Sequence, residues 1–197
     1  MIKYLGTHNS GTSSQLVWWQ RPFAWILHLT SRCQSLSIEE QLLSNVRLFN
    51  LQITWYKDDW VFSHGLCIYK DKVDDAISLM EKYATKESPI YLQIYLDKNF
   101  FLTPNIEEFR LYIEDLKKRF RTSFIYIIYD CIECIGIKNY HGVSINSSEH
   151  HWSKSWAQYN AKSWIDYIPW PKRHAKKYNK KYIAENKADY LMLDFVE

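Results

Sequence analysis

Two histidines and one aspartate sit where a chain can put acid–base chemistry. His8 follows an apolar opening, "IKYLG" at 2–6, inside the run "YLGTHNSGT". His64 follows "WVFS" and precedes Gly65, so a second strand ends on a second imidazole. Imidazole has its unperturbed pKa near neutrality, so such a pair can supply a general base and a general acid. Asp194 closes "YLMLD" near the other end of the chain. A carboxylate accepting from one ring nitrogen fixes the tautomer and leaves the other nitrogen to take a proton. An isolated histidine ordinarily caps or satisfies a loop. The three together need a fold that joins residue 8 to residue 194.

The periodicity of the chain describes such a fold. Segments 2–6, 46–55, 60–64, 89–96, 124–130, 142–146 and 190–195 read as strands, by alternation or by continuous β-rich runs. Between them, Val73, Ala76, Ile77 and Met80 mark one amphipathic helix, and Ile106, Phe109, Ile113 and Leu116 another. Ser37 followed by Glu40 is a capping-box signature for a helix over 37–45, and a basic helix is expected over about 172–187. Strands alternating with helices imply a parallel sheet. About seven strands, with one at each end of the chain, favour a small, incomplete or distorted TIM (β/α) barrel over an open doubly wound sheet. Such a barrel sets its last strand beside its first, and Asp194 then reaches His8. Its chemistry sits at the carboxyl ends of the strands, where Thr7, His8 and Asn9 fall.

The bulk composition fits one globular domain over residues 1–197. Apolar residues are 47% and charged residues 24%, which excludes a disordered chain. The net charge of +3 is too small to imply nucleic acid. No segment approaches the ~18 apolar residues of a membrane span, and no secretory signal is visible, so a cytoplasmic protein is expected. Four cysteines are too few for a disulfide scaffold. The aromatic content is high, with nine Trp, fifteen Tyr and nine Phe.

Ordered motifs now add a resemblance. "GTHNSGT" resembles the "GTHDSGT" element of the phosphatidylinositol-specific phospholipase C X-domain family. "SLSIEEQLLSNVRLFNLQI" at 35–53 resembles that family's short helix followed by Gly-Val-Arg-x-Phe-Asp-Leu-Arg-Ile, and "WVFSHG" its downstream histidine–glycine element. "PIYLQIYL" and "YLMLDF" resemble later barrel strands. The likeness is sharp over roughly the first hundred residues and the last ten, and thin between them. It implies a TIM barrel that cleaves the glycerol–phosphate bond of a phosphoinositide, giving diacylglycerol and a cyclic inositol phosphate. By similarity His8 deprotonates the attacking 2-hydroxyl, Asp194 orients His8, and His64 protonates the departing glycerol oxygen. The phospholipid substrate and a membrane surface are then the expected partners, with peripheral attachment.

The sequence departs from the family at the charges. Relatives stabilise the phosphate with calcium held by carboxylates, or with the Arg of Asp-Leu-Arg. Here the tripeptide is Asn50-Leu51-Gln52, and the position on the next strand is Tyr95. No cofactor is expected, and calcium least of all, because hard cations favour several carboxylate oxygens. Asn9, Asn50, Gln52 and Tyr95 are left as neutral phosphate or substrate contacts, with Lys98 or Asp130 as candidate compensators. Arg47 matches the family's first Arg and is read as structural. Two outcomes stay open. One is a working phosphodiesterase, on a phosphoinositide or on another glycerophosphodiester. The other is a catalytically impaired pseudoenzyme that binds a phosphoinositide or a protein.

Three further features of the sequence stand out. "LVWWQRPFAWIL" at 16–27 places Trp18, Trp19, Phe23 and Trp25 where the family dips aromatics into lipid, against the alternative of ordinary barrel-covering core. The basic segment from Lys172 to Lys187 is a solvated face by default and an anionic-membrane contact as the functional alternative. Cys131 and Cys134 have C-x-x-C spacing with His141, His150 and His151 downstream, a weak zinc signal without a second pair. His28 and His174 are given no role.

Overall fold

In a computed structural model of the chain, the described residues are 4–97, 101–102, 104–129, 137–140, 143–147, 171–185 and 190–196. Lys98, Asp130, Cys131, Cys134, His141, His150 and His151 lie outside them.

Among the described residues, nine strands form one sheet. In chain order they are β1 (Tyr4–Thr7), β2 (Val46–Tyr56), β3 (Asp59–His64), β4 (Cys67–Lys72), β5 (Ile90–Leu96), β6 (Ile125–Tyr129), β7 (Ile137–Tyr140), β8 (Val143–Ser147) and β9 (Tyr190–Leu193). The helices are α1 (Ala24–Ser31), α2 (Ile38–Leu43), α3 (Val73–Glu81), α4 (Ile106–Arg119) and α5 (Pro171–Glu185). The order β8-β9-β1-β2-β5-β6 is parallel throughout. Among the described residues no pairing joins β6 to β7 or β8. The architecture is therefore an α/β barrel left incomplete on one side. First and last strands are neighbours, Leu5 opposite Leu191 and Thr7 opposite Leu193.

The expectation of a wholly parallel sheet is corrected in two places. β7 pairs antiparallel with β8, and β3 and β4 form an antiparallel arm on the outer half of β2. The arm exists because β2 runs eleven residues, longer than a barrel wall needs, and reverses through Lys57 and Asp58, both at positive φ. β3 then returns alongside β2, with Phe62 opposite Ile53. His64 is thus delivered by a strand running back toward the barrel, and not by a parallel barrel strand.

Alternation along each strand sorts side chains between two cores. Phe49, Leu51 and Ile53 of β2 face outward with Leu92, Ile94, Leu191 and Leu193, and meet Ile77 and Met80 of α3 and Phe109, Ile113 and Leu116 of α4. Their neighbours in sequence face the barrel interior, where Leu48, Tyr91, Ile128, Tyr190 and Met192 make an apolar floor. Tyr91 stacks on Tyr126 at 5.2 Å and meets Tyr190 edge-on at 5.0 Å. Part of the high aromatic content is therefore core. Above this floor the same inward-facing positions become polar, Asn50 and Gln52 on β2 beside Gln93 and Tyr95 on β5.

The helix termini follow their sequence signals. Glu40 N donates to Ser37 Oγ at 3.3 Å and Ser37 N to Glu40 Oε2 at 2.7 Å, the reciprocal box read from the sequence. Arg47 is structural, its Nε donating to Ser88 Oγ and its Nη1 to the carbonyls of Leu42 and Val46. Gly11 is required for contact: a Cβ there would lie 2.2 Å from Phe62 Cγ. Gly11→Ala is expected to destabilise the fold by about 1–3 kcal/mol through overpacking, measured as a drop in the denaturant midpoint at unchanged slope.

Candidate active site

The turn after β1 builds the site from its own hydroxyls. Asn9 takes a left-handed conformation, φ 47°, which asparagine tolerates better than most residues. The turn Ser10–Ser13 then folds back, with Thr12 Oγ donating to the Asn9 carbonyl at 2.8 Å. The same Thr12 oxygen accepts from Cys33 N at 2.9 Å and Gln34 N at 3.0 Å, clamping the segment after α1 over the loop. Gln34, fully buried, donates to the carbonyls of both His8 and Leu193 at 2.9 Å. One amide thereby ties the ends of the first and last strands together.

Across that tie, His8 Nδ1 lies 2.7 Å from Asp194 Oδ1, and both side chains are about 7% exposed. The Asp194 backbone carbonyl is held separately by Asn179 Nδ2 of α5 at 2.7 Å. A carboxylate on Nδ1 assigns the proton to that nitrogen in the neutral ring. Nε2 then presents a lone pair, which Asn9 Nδ2 meets at 3.0 Å. His64 stands edge-on to His8, ring centroids 6.0 Å apart and planes at 79°. Its Nδ1 donates to the Ser31 carbonyl at 2.9 Å, an acceptor shared with the Tyr69 hydroxyl at 3.1 Å. The three residues expected to do chemistry are brought to one rim.

The neutral positions divide. Asn50 is engaged at both ends, its Oδ1 accepting from Asn9 N at 3.0 Å and its Nδ2 donating to Gln93 Oε1 at 3.2 Å. Asn50 therefore shapes the His8 loop. Asn9 Oδ1 and Gln52 Oε1 are buried without a hydrogen-bond partner among the described residues. Tyr95 lies opposite Gln52 in the β2–β5 register. Asp97, just beyond β5 and not singled out from sequence, adds a carboxyl on the same inward parity as Gln93 and Tyr95. The alternation Gln93, Tyr95, Asp97 was the signal available for it.

Burial holds the Asp97 carboxyl above the usual carboxylate value, with the Ser63 hydroxyl pulling the other way. The folded chain keeps this proton to higher pH than the unfolded chain, so the stability it contributes is full in acid and declines as pH rises through the folded value. Asp97→Asn is expected to raise the thermal midpoint at neutral pH, with the gain vanishing below about pH 4. Melting both proteins at the two pH values checks the sign. A calcium ion, which the family resemblance brings into question, does not fit this donor set. Asn50 is occupied, Asn9 and Gln52 are neutral, the Asp194 carboxylate is taken by His8 Nδ1, and burial raises the Asp97 carboxyl above its ordinary value.

Cys33, like Asp97, is not singled out by the sequence. Its Sγ lies 3.7 Å from His64 Nδ1 and 3.6 Å from Asn9 Nδ2. Burial, reinforced by the Asp194 charge, pushes its thiol up to about 12. Nothing in "SRCQS" marked it, because its place depends on the Thr12 clamp.

Of the aromatic segment, Trp18, Phe23 and Trp25 are 69%, 60% and 73% exposed, and Ile26 and Leu29 of α1 join them. Trp19 differs: it is half-buried, edge-on to Phe101 at 5.2 Å. No described helix is long and apolar enough to cross a membrane.

No family model matches the sequence, and no curated protein matches it by sequence. Solved structures do match. A variant of the phosphatidylinositol-specific phospholipase C of Staphylococcus aureus aligns with a TM-score of 0.64 at 15% identity, covering 98% of this chain and 85% of that one. Another structure of the S. aureus enzyme, solved in a study of its membrane binding, gives 0.63 at 14% identity, covering 98% and 86%. The enzyme of Listeria monocytogenes gives 0.59 at 14% identity, covering 100% and 89%. At these identities the likeness is one of fold. The chain thus has the barrel architecture of the bacterial phosphatidylinositol-specific phospholipases C, with two imidazoles and a carboxylate gathered where its first and last strands meet.

Proposed function

We propose that the protein is a phosphodiesterase that cleaves a phosphoinositide-type lipid by metal-independent acid–base catalysis. The observation that carries this reading is the pair of rings 6.0 Å apart, one of them held by a carboxylate at 2.7 Å. The fold likeness to enzymes described as phosphatidylinositol-specific supports the substrate class. His8 Nε2 takes the proton of the inositol 2-hydroxyl as that oxygen attacks phosphorus. Asp194 stabilises the imidazolium so formed. His64 gives a proton to the glycerol oxygen as its bond to phosphorus breaks, leaving diacylglycerol and a cyclic inositol phosphate. The Asn9 amide, displaced from His8 Nε2 by the incoming hydroxyl, is the nearest neutral donor for a non-bridging oxygen. The exposed Trp18, Phe23, Trp25, Ile26 and Leu29 lie against the membrane surface that holds the substrate, and Trp19 anchors that segment to the body of the protein.

A specific observation favours the second reading, a non-catalytic binder. Asn50, Gln52, Gln93 and Tyr95 leave the inward-facing wall without a formal charge, and Asn50 is already held between Asn9 and Gln93. Losing one preorganised contact costs about 3–4 kcal/mol of transition-state stabilisation. The two readings separate in a product assay on phosphatidylinositol vesicles, with and without chelator. Turnover that survives chelation and is lost in His8→Ala supports the enzyme. Vesicle binding with no product from a folded protein moves the assignment to the binder. Turnover abolished by chelation sinks the metal-independent mechanism.

A further inference from the structure

The sulfur of Cys33 has no part in the proposed reaction, yet it is buried among the groups that do. We infer that Cys33, His8, His64 and Asn9 form a site for Zn²⁺, and that zinc bound there shuts the centre by occupying both imidazoles. The inference goes beyond the cleavage reaction and stands whether or not the protein turns over lipid.

Three observations carry it. First, ligand atoms of Cys33, His8 and Asp194 all lie within 4.8 Å of one another, the one such group among the described residues. Second, the Cys33 Sγ to His64 Nδ1 distance is 3.7 Å. Tetrahedral zinc with Zn–S of about 2.3 Å and Zn–N of about 2.0 Å separates its sulfur and nitrogen ligands by roughly 3.5 Å. Third, Asn9 Nδ2 touches both His8 Nε2 and Cys33 Sγ, while Oδ1 of the same amide is buried and has no hydrogen-bond partner among the described residues. A half-turn of that amide puts the orphaned oxygen toward the imidazole and the sulfur, an arrangement that wants a cation between them.

The surrounding groups suit zinc over harder ions. Thiolate and imidazole select zinc, whereas calcium and magnesium require oxygen donors. Asp194 on His8 Nδ1 is the outer carboxylate that orients a zinc-bound histidine through its second nitrogen. Coordination forms a zinc–thiolate bond and releases the Cys33 proton to solvent; no electron changes hands. The charge that drives the proton out comes from the metal itself. His64 gives up its bond to the Ser31 carbonyl in exchange.

The test is a titration of the metal-stripped full chain with Co²⁺. A thiolate-to-cobalt charge-transfer band is expected in wild type, displaced by stoichiometric zinc. Cys33→Ser is expected to lose the band and to bind zinc more than about tenfold more weakly. Cys67→Ser and the double variant Cys131→Ser/Cys134→Ser are expected to keep it. His8→Gln, which retains the thiol, is expected to keep the band but weaken binding, and so reads the imidazole without touching the sulfur. A band that persists in folded Cys33→Ser, that disappears in the Cys131/Cys134 double variant, or that never forms in folded wild type overturns the site. If the protein cleaves lipid, micromolar zinc is expected to stop it and chelator to restore it. An inactive protein leaves the cobalt spectrum unaffected, so the two readings fail separately.

Discussion

His64→Ala is expected to lower phosphatidylinositol cleavage by about 10²–10⁴-fold, yet leave cleavage of an aryl inositol phosphate nearly intact. The difference lies in the leaving group. Diacylglycerol departs as an alkoxide, which is strongly basic and needs a proton as the bond to phosphorus breaks. A nitrophenolate leaves without one. In the proposed mechanism that proton comes from His64, whose Nδ1 is fixed on the Ser31 carbonyl and whose ring stands edge-on beside His8. The same mechanism gives His8 the attacking hydroxyl, which both substrates share, so His8→Ala is expected to lose both activities alike. Kinetics of the two variants on the two substrates give four rates. Equal losses on lipid and aryl ester for His64→Ala would remove its assignment as the acid.

Asp194→Asn is expected to cost turnover on the order of 10⁴-fold while leaving the fold almost unchanged. The same replacement in a serine-protease triad has an effect of that size, because it installs the wrong tautomer. Here an asparagine donating to His8 Nδ1 would move the ring proton to Nε2, onto the atom that must accept one. Asn9 Nδ2 already donates to Nε2 at 3.0 Å, so the altered tautomer would also set two donors against each other. The main chain at 194 is held by Asn179, and its neighbour Phe195 N by the Cys33 carbonyl at 2.8 Å. These bonds do not use the carboxylate, so the circular dichroism spectrum should not move. Nitrogen NMR of the His8 ring reads the tautomer directly. A loss of less than tenfold, or an unmoved ring proton, would show that Asp194 does not orient the base.

How much of this was legible in the sequence depended on whether the signal was local. The capping box at Ser37 and Glu40, the stripes of α3 and α4, and the alternation of β2 are set by near neighbours, and the structure keeps them. The meeting of His8 with Asp194 was legible for a different reason: a strand at each end of an alternating chain leaves a barrel little choice but to pair them. His64 was read as the end of a parallel strand, and its proximity was right although its route was not. The reversal at Lys57 and Asp58 depends on two residues at positive φ, neither of them glycine, so no turn signal announced it. Asn50 was read as a phosphate contact, but its amide is held by Asn9 and Gln93, a pairing set by the β2–β5 register. Cys33, Gln34 and Asp97 stayed hidden for the same reason, since each gains its role from a residue far away in the chain.

That remoteness has a kinetic side. His8 and the carboxylate that steadies it are separated by 186 positions, so the loop closing their contact is nearly the whole polypeptide. The hairpin arm bearing His64 closes over a few residues and can assemble early, whereas parallel pairing across long separations is slow. During refolding from denaturant, recovery of secondary structure should therefore run ahead of recovery of turnover, and the lag between them should measure the docking of β9 on β1.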